Sequence, residues 1–476
     1  MASKDLSSWV ILDRFIHRSD RGVVDDADGT ASEISYTCTG RPISASIRVA
    51  DFPAVSRLHL HWPGRPEFPG LPEPRVVAAH DHSILFRALV PFEDPMCCQD
   101  TFCFPIDMFV YSAFSSPPSL HRLRPCFAGG VSTPDEDIYF NPYRRRQQRI
   151  MLESEIGLLC HGRQGGFTVV DFTELSQVGG QLCLLHHPAL PPASASHKNA
   201  DEGPDWMIKK VRFPEGRPSV HHWITDAILP LHGRFLCLVD NYQGILVVDV
   251  LSATDESSPA HLQLHFISLP DEALQSHRPH PDGDCPDSAR CVSLAPNGML
   301  KLVCITTRRT SRARPFTIAS WILHDIKRSK RWHRGHIMEA AEFWGLYDGQ
   351  SLPRVNPTYP LVNLANPDEI SFLLKDYTTC WMIEINTWNK TLKSTAIYIN
   401  EEEEACTTAR ARRNVFGGHS FIPSGFSNYL GTDVIKSREL SEMMQKAKVA
   451  AQKKSLEKLA ESKEHVAEPK AAECRA

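Results

Sequence analysis

The chain has 476 residues, 42% hydrophobic and 23% charged, with a formal net charge of −4. That is globular composition, enough for two or three average domains or one large repeat domain. No stretch approaches the roughly 18 consecutive apolar residues of a membrane helix, and there is no GxGxxG, P-loop or HExxH motif to point to the commonest nucleotide-binding and zinc-peptidase classes.

The N-terminal run Trp9–Leu12 stops at Asp13 and is too short for a signal-peptide core. A cytoplasmic or nuclear location is therefore expected, with the 14 cysteines kept as thiols; none is spaced as CxxC. From there to about residue 430, short apolar runs alternate with Gly, Pro, Asn and Asp turns. One unit recurs: FVYSA (109–113), TVVDF (168–172), LVVDV (246–250), ILHDI (322–326) and MIEIN (382–386). Its acids are Asp171, Asp249, Asp325 and Glu384, spaced by 78, 76 and 59 residues, with Ser112 as the exception. The last three copies follow apolar runs at Phe235–Val239, Leu300–Thr306 and Ile370–Leu374. They precede runs at Leu262–Leu269, Arg331–Ile337 and Leu392–Ile399.

Three or more antiparallel strands per repeat cannot bury both faces alone and must stack on their neighbours. A β-propeller or stacked β-sandwiches would satisfy that. The fold class predicted is all-β, a β-propeller-like array of antiparallel blades over residues 1–435, with about five to seven blades. The repeat spacing exceeds the roughly 40–50 residues of a compact blade, so long insertion loops are required. SSPPSL (115–120), ALPPASASHKNADEGP (189–204) and HRPHPDGDCPDS (277–288) fit that role.

Within LCLVDNYQGILVVDV (236–250), Asp240-Asn241-Tyr242-Gln243-Gly244 reads as a hairpin turn. Asp240 would cap the turn through its side chain, and Gly244 would supply a positive φ. No second acid or histidine stands in fixed relation to Asp240, so a turn role is preferred to a catalytic one. Together with SSWVILDRF, SRLHLHWP (56–63), LFRALVPFEDP (85–95), MFVYSAF (108–114) and HFISLP (265–270), this stretch resembles domain of unknown function 1618. That family is known chiefly from grass genomes, and it carries no established activity. WILHDIKRSKRW (321–332), NPDEISFLLKD (366–376) and WMIEINTWNKTL (381–392) are similar to F-box-associated propeller-like domains. The residues ahead of Ser7 leave no room for an F-box module of about 40–50 residues, so an F-box role is not expected.

Residues 436–476 hold ten Lys or Arg, seven Glu and no aromatic residue, and read as a charged helical or disordered tail. The loop from His277 to Cys285, with Cys291 nearby, has metal-ligating residue types but no standard ligand spacing, and reads as a solvated insertion. His186-His187 and His221-His222 are adjacent, so on a strand each pair points to opposite faces. GGHSFIP (417–423) lacks the second glycine of a nucleophile elbow. MCCQDTFC (96–103) has thiols but no flanking base, and the acids of NPDEISF read as hydrated turn residues. No catalytic, cofactor-binding or metal-binding residue is therefore assigned.

Charge is the remaining signal. Residues 308–334 carry nine Lys or Arg and one acid, a local balance of +8 in a negative chain. Arg308, Arg309, Arg312 and Arg314 precede a predicted strand at Thr317–Ile326, and Lys327, Arg328, Lys330 and Arg331 follow it. These eight form the candidate partner-binding surface, against the alternative that they only protect a sheet edge. A second basic run, Tyr143–Arg149, reads as a nuclear-import or surface cluster. The expected function is a non-catalytic module that binds a protein partner through propeller loops, with no cofactor and no membrane. The alternatives are a nucleic-acid-associated protein using the basic segment, or a propeller hydrolase with dispersed catalytic residues.

Overall fold

The computed structural model describes residues 8–18, 29–65, 71–91, 104–127, 148–161, 165–176, 179–188, 205–214, 223–254, 261–274, 288–307, 316–326, 331–376, 379–400 and 421–430. Met1–Val24 and Ala31–Tyr429 form one compact unit. Asp25–Thr30 and Leu430–Ala476 form a second, of which Gly29, Thr30 and Leu430 are described. The tail from residue 436 lies outside the described residues. No described helix is long and apolar enough to cross a membrane.

The large unit is a six-bladed β-propeller. Blade one is Arg75–His80, Ser83–Leu89, Ile106–Ser112 and Ser119–Arg122, in order from the axis outward. Blade two is Ile156–His161, Gly166–Ser176, Gly179–His187 and Trp206–Arg212. Blade three is Ala227–Leu231, Phe235–Asp240, Gly244–Asp249 and His265–Ser268. Blade four is Arg290–Ala295, Met299–Thr307, Phe316–Leu323 and His333–Glu339. Blade five is Thr358–Val362, Glu369–Lys375, Thr379–Asn386 and Thr391–Asn400.

Blade six closes the ring by joining the two ends of the unit. Its innermost strand, Phe421–Ser424, pairs antiparallel with Val10–Asp13, which pairs parallel with Val55–His61; Pro42–Arg48 lies beyond. The closure is fixed by Val10 opposite Ser424 and Asp13 opposite Phe421. Asp13 is fully buried there and accepts hydrogen bonds from Phe15 N (2.9 Å) and Tyr398 Oη (2.9 Å). Burial outweighs those bonds and pushes its carboxyl up to about 6.

In blades one, three and five the second and third strands are packed on both sides by neighbouring blades and read as continuous apolar runs, whereas Val55–His61 of blade six alternates between buried and half-buried residues. The core is a ring of such contacts. Leu85, Val110, Val169 and Cys183 fill the space between blades one and two, and Phe172, Leu184, Leu238 and Leu246 that between two and three. Val239, Ile267, Leu302 and Trp321 join three to four, and Ile318, Phe343, Phe372 and Ile383 join four to five. Trp9, Ile11, Leu373 and Met382 seal five against six.

Three sequence expectations change. FVYSA, LVVDV, ILHDI and MIEIN fall on or at the end of third strands, but TVVDF lies on the second strand of blade two. The pattern marks strands covered on both faces and does not mark order within a blade. Leu262–Leu269 is two strands rather than one. His261–Gln263 adds parallel to the outer edge of blade two, and His265–Ser268 completes blade three.

The third change concerns Gly244. The hairpin is present, with Asp240 opposite Gly244 and Val239 opposite Ile245, but Gly244 is not among the glycines with positive φ. A Cβ there would stand 2.4 Å from the Ile267 carbonyl oxygen and 2.5 Å from the Phe266 ring. Glycine is needed because the outer strand approaches closely, not because of the turn's handedness. Gly244→Val should accordingly destabilise the protein by about 1–3 kcal/mol through overpacking. An unchanged urea midpoint would show that the outer strand can move away at no cost.

Candidate functional site

All six innermost strands run in the same direction. Cys160 N, late in the inner strand of blade two, donates to His80 Nδ1 at the end of that of blade one (2.8 Å). Gly298 after the inner strand of blade four lies against the His232 ring after that of blade three. Lys301 Nζ of blade four donates to Pro367 O, in the turn after the inner strand of blade five. Tyr429, after the inner strand of blade six, meets the His82 ring at 5.6 Å. The strands enclose a central channel of about 310 Å³, within the usual range for ligand cavities. It has an entry end, where the strands begin, and an exit end, where they finish.

Charged groups crowd the entry end, and each is bound into the wall. Glu153 is held by Arg75 Nε (3.3 Å) and Arg87 Nη2 (2.7 Å). Asp226 Oδ2 accepts from Asn241 N at 2.7 Å. Arg290, 5% exposed, donates to Asn241 O and Ala273 O, both at 2.9 Å, and lies 4.5 Å over the Tyr242 ring. Arg14 donates to Val77 O at 2.9 Å. Side chains such as Ile156, Ile228, Val292 and Leu361 line the rest of the channel.

The exit end is rich in histidine. His80 Nε2 lies 3.7 Å from Asp81 Oδ2. His82 Nδ1 is within hydrogen-bond reach of Ser112 Oγ (3.0 Å) and Ser83 Oγ (2.8 Å). His161 and His186 stack at 4.8 Å and share the Thr168 hydroxyl. Burial lowers His80, His82 and His186 below the ordinary histidine value, and His161 to about 4. Neutral rings are favoured, which suits metal ligands and buried spacers alike. No group of three or more His, Cys, Asp or Glu among the described residues is placed to hold a metal ion.

Of the predicted partner-binding residues, Arg308, Arg309, Arg312, Arg314, Lys327, Arg328 and Lys330 lie outside the described residues. Arg331 is described and exposed. The described strand that separates the two clusters in the sequence is Phe316–Leu323. The His277–Cys285 loop, His221-His222, residues 96–103 and residues 417–420 also fall outside the described residues. Phe421–Pro423 belongs to the channel wall. His186 and His187 do face opposite ways, one onto His161 and the other onto Phe167 (5.0 Å).

Two features were missed in the sequence. Arg149, grouped there with a basic surface run, is largely buried and binds the fully buried Asp171 at 2.9 Å. Glu369, read as hydrated, lies beside Glu384 across the Asn363 carboxamide, which donates to both at 3.0 and 3.3 Å. Burial and then the neighbouring Glu369 push the Glu384 carboxyl up, against the Ser394 hydrogen bond. Such a pair can share a proton, but neither residue lines the channel.

Residues 239–371 match the family described as "Protein of unknown function (DUF1618)". No curated protein matches the sequence. Among solved structures, the chain is similar at 9% identity to a Penicillium chrysogenum alpha-L-arabinanase complexed with arabinobiose (63% of this chain, 74% of that one, TM-score 0.25). It is similar at 11% identity to a Microbacterium saccharophilum K-1 beta-fructofuranosidase mutant (76% and 83%, TM-score 0.24). A Leishmania mexicana mannose phosphorylase in complex with phosphate ion is 10% identical (82% and 87%, TM-score 0.16).

Proposed function

We propose that this chain is a non-catalytic interaction module that takes a protein partner on the exit face of its propeller. The observation that carries it is Trp388, which is 71% exposed at a hairpin tip on that face. The tip is held in place. Asn386 Oδ1 accepts from Trp388 N (3.0 Å) and Asn389 N (3.1 Å), and Thr387 N donates to Asp368 O (2.8 Å). The indole stands edge-on to His336 at 5.3 Å. A fixed, solvated tryptophan gives the fold little burial, and tryptophan is the residue type most enriched among interface hot spots. Phe114 (45% exposed) and Tyr429 (41% exposed) flank His82 on the same face.

The channel supports the same reading. Hydrolysis by paired carboxylates needs one acid free to donate and one free to attack or to activate water. At the entry end Glu153 is clamped between two guanidinium groups and Asp226 accepts a backbone N–H, so both hold the wall together, while Asp81, the other described acid of the lining, stands at the exit end 3.7 Å from His80 Nε2.

The test is quantitative recovery of bound proteins from native extract by wild type and Trp388→Ala. The variant should melt with wild type and lose at least about tenfold of a specific partner, as hot-spot truncations do. Equal recovery would overturn the assignment of this face. If binding instead persists in the variant but collapses with rising salt and nuclease treatment, the basic segment and nucleic acid take its place.

A further inference from the structure

Cys126 follows the outer strand of blade one, and Cys183 lies on the third strand of blade two. Both are free and buried, and their sulfurs are 3.2 Å apart although 57 residues separate them in the chain. A disulfide would require the sulfurs to close to about 2.05 Å. Cys126 also borders a cavity of about 30 Å³ lined by Arg87, Met108, Gln148, Arg149 and Met151. A water molecule needs roughly 10–15 Å³, so the space admits a small oxidant and excludes a tripeptide disulfide. Arg149 is anchored beside Cys126, its N–H donating to Cys126 O at 2.7 Å.

We propose that Cys126 and Cys183 form a peroxide-reactive dithiol that closes to a reversible disulfide between blades one and two, with Cys126 as the attacking sulfur. The asymmetry has a physical basis. The Cys183 hydrogen bond and the Arg149 charge lower Cys126, whereas Cys183 is raised. In the first step the Cys126 thiolate attacks one oxygen of hydrogen peroxide. The S–O bond forms, the O–O bond breaks, and hydroxide leaves and is protonated to water. Cys183, losing its proton, then attacks the sulfenic sulfur; the S–S bond forms, the S–O bond breaks, and a second water departs. Two thiols give up two electrons and the peroxide takes them. Two equivalents of a thiol small enough for the cavity, such as methanethiol, return the pair to the reduced state, as dimethyl disulfide forms.

The folded full-length protein would be treated with stoichiometric hydrogen peroxide, its remaining thiols blocked, and its peptides mapped. A peptide joining Cys126 to Cys183, lighter by two hydrogens and split by dithiothreitol, should form about tenfold faster than any oxidation of the buried Cys237, given how thiolate character sets reactivity. Tert-butyl hydroperoxide should be markedly slower, because the cavity is small. Cys183→Ser should stop at a dimedone-trappable sulfenic acid on Cys126, and Cys126→Ser should leave Cys183 unmodified. Recovery of both thiols reduced to the same extent as Cys237, or dimedone labelling of Cys183 in Cys126→Ser at the wild-type rate, would overturn the proposal. The wild-type map alone decides it if a variant does not fold.

Discussion

Arg149→Ala should lower the unfolding free energy by about 3–5 kcal/mol, the usual cost of stripping the partner from a buried charge. The guanidinium spreads over three groups of blade two: Nε to Asp171 Oδ2 at 2.9 Å, Nη1 to Gln181 Oε1 at 3.0 Å and Nη2 to Thr173 Oγ1 at 3.0 Å. Asp171 is 0% exposed. Burial raises its carboxyl and Arg149 pulls it back down. Removing Arg149 removes the opposing pull, so the folded-state value rises further. A carboxyl raised above its unfolded value binds more protons folded than unfolded, so stability falls as pH rises through that window. The variant's deficit should therefore be larger at pH 7 than at pH 5, measured by urea denaturation under reducing conditions. Arg149→Lys keeps the charge but not the three-way fork, and should recover only part of the loss. If Arg149→Ala unfolds with wild type at both pH values, Asp171 is not held as a charge.

What the sequence revealed and concealed follows from which faces of each strand are covered. The runs at Phe235–Val239, Leu300–Thr306 and Ile370–Leu374 were legible because neighbouring blades cover both their faces. The innermost strands escaped notice: AILPL at 227–231 and TYPLV at 358–362 are short and interrupted by proline, and the first is only partly buried where it faces the channel. No local pattern pairs Val10 with Ser424. The same distance hid Arg149 and Asp171, 22 residues apart, and the two cysteines, which lie in no motif. Basic residues in a row signal a surface only when no buried acid faces them. Glu369 looked hydrated because its partner Glu384 belongs to the next strand of the hairpin.

Asp240→Ala should cost about 3–5 kcal/mol, well above the roughly 1 kcal/mol of one exposed turn hydrogen bond. The carboxylate is 0% exposed and accepts four bonds. Tyr242 N (2.9 Å) and Gln243 N (3.1 Å) reach Oδ1, and Gln243 Nε2 (2.7 Å) and Ile224 N (3.1 Å) reach Oδ2. The bonds to Tyr242 and Gln243 are the side-chain cap that the sequence predicts for a turn. The bond to Ile224 is different, because that residue lies 16 positions earlier and leads into the innermost strand of blade three. Asp240 thereby ties the hairpin to the channel wall. The next residue continues the link, since Asn241 N donates to Asp226 and Asn241 O accepts from Arg290 of blade four. Alanine takes this acceptor from the partly buried N–H groups of Tyr242, Gln243 and Ile224 and from the Gln243 carboxamide at once, and a hydrogen bond to a charged group contributes about 1.5–3 kcal/mol. Asp240→Asn should fall between, because a carboxamide oxygen can still cap the turn while its NH2 meets a second donor at Ile224 or Gln243. Equilibrium denaturation of the three proteins orders them. A loss below about 1 kcal/mol for alanine would mean that the Ile224 bond carries nothing and that Asp240 is a turn cap alone.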